Sequence, residues 1–175
     1  MPKTIAIIIE LALSVCALWV IAFLLTFLHE AGHALGYMIA TGDRHWHIRA
    51  GSGKKLLNTK QLTVKLFPFD GCFMPSEKNR IDTTAKLIAT LSGGPAVSLI
   101  LAAVLLPVKI NGISLQSEVI ASGAMEFFLN SALFINLFIL ILALLPTHYF
   151  HGEIKGMETD GLQIIHAIKR HKSKP

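Results

Sequence analysis

Three long apolar runs divide this chain. Ile5 to Leu28 is almost wholly apolar, broken by Glu10. The apolar helical character continues to Ala40, where Thr41-Gly42-Asp43 stops it. As a helix, Ile5 to Leu28 alone covers about 36 Å, more than the roughly 30 Å hydrocarbon core of a bilayer. It is too long for a signal-peptide core, and only Lys3 precedes it. Ala85 to Val108 and Glu126 to Leu145 are each about one bilayer long. The pattern predicts spans at about 5–40, 85–108 and 126–145. Ser92-Gly93-Gly94-Pro95 lets the second helix approach a neighbour closely, and Asn130 and Asn136 offer bonds to other helices.

The connections read differently. In the loop 43–84, Leu62, Val64 and Leu66 alternate with Thr63 and Lys65, which predicts a strand ending near Pro68. A partner strand falls around Trp46–Ala50, and Gly51-Ser52-Gly53 reads as a turn. Lys109 to Ser122 reads as a short polar connection. Pro146 ends the third run and opens a tail, 147–175. Within it Leu162, Ile164, Ile165 and Ile168 predict a short amphipathic helix. The expected fold is a single all-α membrane domain: three transmembrane helices with a small β-hairpin or sheet after the first.

Composition supports this assignment. Hydrophobic residues make up 53% of the 175, and 15% are charged, against about 25% in soluble domains. The net charge of +5 is segregated by segment, so it speaks to topology rather than to nucleic acid. Lys and Arg crowd 43–86 (Arg44, Arg49, Lys54, Lys55 and Lys60 among them) and recur at Lys155, Lys169, Arg170, Lys172 and Lys174. Only Lys109 marks the 109–122 connection, and only Lys3 the N-terminus. The positive-inside rule then puts the N-terminus outside and the C-terminus in the cytoplasm. Cys16 and Cys72 form no disulfide framework and lack metal-ligand spacing.

The chemistry lies at His29-Glu30-Ala31-Gly32-His33. Residues four apart share a helix face, so His29 and His33 can offer two imidazole nitrogens to one metal. Zinc accepts such ligands, takes a third from the protein, and leaves a position for water that Glu30 can deprotonate as a general base. The alternative is two packed or solvated histidines beside an ordinary surface carboxylate. It is disfavoured here because His and Glu are costly in an apolar helix. The topology brings the ends of the first and third spans to one membrane face, where Asp160 can supply the third ligand. His148 and His151 are rivals by ligand chemistry. His45 and His47 lack a partner at metal spacing and read as surface or interfacial.

These features together resemble the site-2 protease family of intramembrane zinc metalloproteases, in a compact form without PDZ or CBS domain. His29-Glu30-Ala31-Gly32-His33-Ala34-Leu35-Gly36 is similar to that family's first motif. Leu62 to Met74 is similar to the strand after its first core helix, with Asp70 where a glycine is usual. Ser92 to Leu99 is similar to its glycine-proline-x-x-asparagine motif, with Ser98 at the asparagine. Ile135 to Pro146, followed by Thr159-Asp160-Gly161, is similar to its third motif, with Ala143 where asparagine is frequent and a longer insert before Asp160. The resemblance covers roughly residues 20–162. It implies one zinc ion bound by His29, His33 and Asp160, with Glu30 as general base and acid, and Asp160 preferred over His148 and His151. It implies hydrolysis of a membrane-spanning protein substrate, in regulated proteolysis. The compactness of the chain and its lack of eukaryotic targeting features point to a prokaryotic cytoplasmic membrane. An extended substrate would add to the strand near Leu62–Phe67. Two other functions compete. One is a catalytically impaired zinc-binding scaffold or regulator, favoured by Ser98 and Ala143. The other is a membrane-anchored peptidase acting on soluble peptides, which would need a polar domain to house its site.

Overall fold

The computed structural model of the chain describes residues 3–77, 80–111, 123–150 and 152–172. The element order is α1 (Lys3–Thr41), β1 (Trp46–Asn58), β2 (Leu62–Pro75), α2 (Thr84–Asn111), α3 (Gly123–Leu144) and α4 (Asp160–Lys172). Helices α1, α2 and α3 are each long and apolar enough to cross a membrane. Their observed bounds lie within a few residues of the expected spans. The connection expected at 109–122 begins later, because Lys109–Asn111 still belong to α2; residues 112–122 lie outside the described residues.

Burial is concentrated where the site lies. The first half of α1 exposes its apolar side chains, Ile7, Leu11 and Val20 among them. From Ala22 onward one face turns inward through Leu25, Thr26, His29, His33 and Tyr37, at the three-to-four spacing of a helix. That face crosses α2 at glycines. A Cβ on Gly32 would run into the Gly93 carbonyl, one on Gly93 into the Gly32 carbonyl, and one on Gly36 into the Ala89 carbonyl. Gly32 and Gly36 form a G-x-x-x-G pair, the spacing by which apolar helices bring their backbones together.

The hairpin departs from expectation in two ways. β2 does not end near Pro68 but runs to Pro75, and β1 runs through the predicted turn to Asn58. Gly51 (φ 88°) and Gly53 (φ 82°) do take left-handed conformations. There they shift the register rather than reverse the chain. Trp46–Ala50 pair with Gly71–Pro75, Ser52 with Phe67, and Asn58 with Thr63. A bulge and a turn call for the same residue, so local sequence does not separate them. The middle of β2 is docked on α1: Trp19 Nε1 donates to the Leu66 carbonyl (3.0 Å), and Thr26 Oγ1 to the Pro68 carbonyl (2.9 Å). Pro68 has no amide hydrogen to offer a ladder, yet its carbonyl serves as a docking point.

Between α3 and α4 the chain forms a strap. Tyr149 N–H donates to the Met157 carbonyl (2.9 Å), Gly156 N–H to the Tyr149 carbonyl (2.7 Å), and Thr159 N–H to the Thr147 carbonyl (3.0 Å). Thr159 is fully buried and caps α4, accepting the Leu162 N–H at 3.5 Å and donating to the Leu145 carbonyl at 2.5 Å. The expected amphipathic helix is present as α4, with a different buried face. Asp160, Gly161 and Ala167 are buried, whereas Ile165 and Ile168 are exposed.

Candidate metal centre

His29 and His33 occupy successive turns of the buried face of α1, and Asp160 is the first residue of α4. Residues 131 positions apart meet because Thr159 ties the start of α4 to the end of α3, and Gly161 packs where a Cβ would strike the Leu144 carbonyl. His29 Nε2 lies 3.4 Å from Asp160 Oδ2, and His33 Nε2 lies 3.2 Å from the same oxygen. All three residues are buried, and their ligand atoms fall within 4.8 Å of one another.

The outer nitrogens fix the direction of the inner ones. His33 Nδ1 lies 2.9 Å from the Thr90 carbonyl. A carbonyl only accepts, so Nδ1 carries the proton and Nε2 turns its lone pair inward. His29 Nδ1 lies 2.9 Å from the hydroxyl of Ser98. Two imidazole nitrogens and a carboxylate at one buried point call for positive charge among them, either a proton on an Nε2···Oδ2 contact or a metal ion. Ligands about 2.0–2.1 Å from a tetrahedral zinc would lie roughly 3.3 Å apart, close to the two spacings to Asp160 Oδ2. Gly94 supplies the space: a Cβ there would lie 2.7 Å from His29 Nε2 and closer still to His33 Nε2.

Glu30 is buried beside this group and accepts the Phe73 amide hydrogen. Gly71 of β2 packs directly on it, with a Cβ there falling 2.5 Å from Glu30 Oε1. Two cavities flank the carboxylate. One, about 440 Å³, reaches along Gly71, Cys72 and Phe73 toward Thr90 and Glu158. The other, about 340 Å³, runs among Phe67, Phe69, Phe138, Leu142 and Ala143.

Among the described residues, only the Asp160 option joins the histidine pair. His148 is exposed and bridges to Glu158 in the strap, and His151 lies outside the described residues. His45 pairs with Asp43 (2.7 Å), and His47 with Thr63 Oγ1 (2.9 Å), so both stand apart from the group. Ser98, which the sequence presents only as a missing asparagine, is the partner of His29. Asn136 lies beneath it, almost fully buried, and donates from Nδ2 to the Ser98 carbonyl at 2.8 Å. The G-x-x-x-G pair in α1 and Gly94 were visible in the sequence as small residues, without the partners that give them meaning.

Comparison of the chain with protein-family models, with curated proteins and with solved structures finds no match.

Proposed function

We propose that this chain is an intramembrane zinc metalloendopeptidase that cuts a peptide bond in or near a transmembrane segment of a membrane protein. The observation that carries the reading is the convergence of His29, His33 and Asp160, with Glu30 beside them, inside a bundle of helices long and apolar enough to cross a bilayer. At 1.5 Å per residue, His33 and His29 lie about 12 and 18 Å along the axis from Thr41, well below a membrane surface near the end of α1. Zinc there would supply Lewis acidity toward the scissile carbonyl and acidify a water molecule. Glu30 would take the proton of the attacking water and return it to the leaving amine. The Phe73 N–H bond fixes its carboxylate for that task.

A transmembrane helix hides its carbonyls in internal bonds, so the substrate must unwind locally. The part of β2 beside Glu30 is Gly71–Phe73, not Leu62–Phe67, so strand addition is best placed there. The basic loop and tail argue for a cytoplasmic C-terminus and an inner location for the site. The scaffold reading loses its support at Ser98, because the hydroxyl performs an orienting task at His29.

The test is cleavage of a membrane-spanning protein by the purified, zinc-loaded chain, with a detergent-soluble peptide of the same sequence alongside. The wild type should cut the spanning substrate and Glu30→Gln should not, although it retains zinc. Equal cleavage by Glu30→Gln would sink the proposal.

A further inference from the structure

Four charged side chains join the strap to the hairpin next to the metal centre. Asp70, only 4% exposed, accepts from the Arg49 guanidinium (3.3 Å) and from the Glu153 backbone N–H (2.7 Å). Glu153 in the strap pairs with Arg49 (2.5 Å) and Lys65 (2.5 Å), and also accepts the Gly53 N–H (3.1 Å). The group is electrically neutral: two cations of the hairpin face one carboxylate of the hairpin and one of the strap. Gly152 makes the approach possible, with φ 76° and a Cβ position 2.7 Å from Asp70 Oδ2. One residue further along β2, Gly71 touches Glu30.

The strap also divides the space around Glu30. The two cavities share His29, Glu30, Gly71, Tyr149 and Ile154. Phe67 and Phe69 wall the smaller one and Phe73 and Pro75 the larger, so β2 runs along both. An extended peptide beside Phe67–Pro75 would occupy up to roughly 26 Å and pass Glu30 at its middle. Tyr149 and Ile154 are the strap residues that line both cavities, where that path would pass from one to the other.

We infer that Asp70 and Glu153 are positioning residues of a latch: their bonds to Arg49, Lys65 and the strap backbone hold Tyr149 and Ile154 across the waist of one substrate trough, which opens end to end when the latch parts. Asp70 thereby explains its place in β2, where a glycine could not accept from Arg49. Parting the latch leaves partly buried charges unpaired, so the closed state is favoured until a substrate offers contacts in return. The trough's use by a peptide substrate rests on the hydrolase reading; the latch itself does not.

The test is thiol accessibility in the full chain reconstituted in liposomes. In a Cys16→Ser background, Cys72 in the larger cavity is the remaining cysteine, and N-ethylmaleimide reports its exposure. Glu153→Gln should speed labelling at least about tenfold. Gly152→Ala, which disturbs the latch without changing charge, should act in the same direction. Glu153→Asp, which keeps the carboxylate, should stay within about threefold of the parent. Unchanged labelling in both disrupting variants overturns the inference. So does acceleration by Glu153→Asp equal to that by Glu153→Gln, which would mark general loosening. In turnover, Glu153→Gln should lower KM for a spanning substrate with kcat held, because a larger open fraction raises apparent affinity. No cleavage by the parent protein would remove the hydrolase reading and leave the labelling result to decide the latch.

Discussion

Ser98→Ala isolates the support of a metal ligand. The hydroxyl lies 2.9 Å from His29 Nδ1, with Ser98 1% and His29 5% exposed. Removing it leaves a buried ring nitrogen without a partner, a loss of about 1–3 kcal/mol. At 1.4 kcal/mol per factor of ten, this is roughly a 5- to 150-fold loss of zinc affinity, in line with the 10–100-fold typical of groups that orient ligands. The contact between α2 and α3 is spared, since Asn136 binds the backbone carbonyl of residue 98 and not its hydroxyl. Competition against a chromophoric chelator, in detergent at neutral pH, measures the affinity. At saturating zinc the rate of cleavage should fall much less, because Glu30 is untouched. Affinity within twofold of wild type would refute the assigned role.

Gly94→Ala should abolish stoichiometric zinc binding while leaving the helical circular dichroism intact, because its Cβ falls 2.7 Å from His29 Nε2. Thr159→Val removes the cap of α4 and should lower thermal stability by about 1 kcal/mol, with weaker zinc binding because Asp160 begins that helix. Asp43, just beyond α1, is held down at about 2 by hydrogen bonds from the Tyr37 hydroxyl and the His45 amide. Its folded value lies below the unfolded one, so its stabilisation is full above about pH 4 and fades as pH falls toward 2. Asp43→Asn should remove that part of the acid sensitivity in a melting series across pH 2–5.

The three helices and the histidine pair were legible because both signals are local. A run of apolar residues sets a helix, and a spacing of four sets a face. Topology made Asp160 a candidate beside His148 and His151, and only the resemblance preferred it, since its meeting with His29 depends on how Thr159 and Gly161 seat α4. The hairpin was half legible. Alternation marked Leu62–Leu66, but the strand beyond Pro68 is held by its pairing with Trp46–Ala50, which the bulged register makes possible. Gly51 and Gly53 offered no local sign distinguishing a bulge from a turn. The latch could not be read at all: Arg49, Asp70 and Glu153 are each an ordinary charge in a polar segment, and their pairing spans 83 positions from Asp70 to Glu153.

Zinc K-edge absorption on the metal-loaded chain bears most directly on the proposed centre. Two imidazoles and oxygen ligands at about 2.0–2.1 Å are expected, with zinc content near one per chain and a marked loss in Asp160→Asn. A scatterer at about 2.3 Å, the distance of a cysteine sulfur, or full zinc retention by Asp160→Asn, would contradict a centre built from His29, His33 and Asp160.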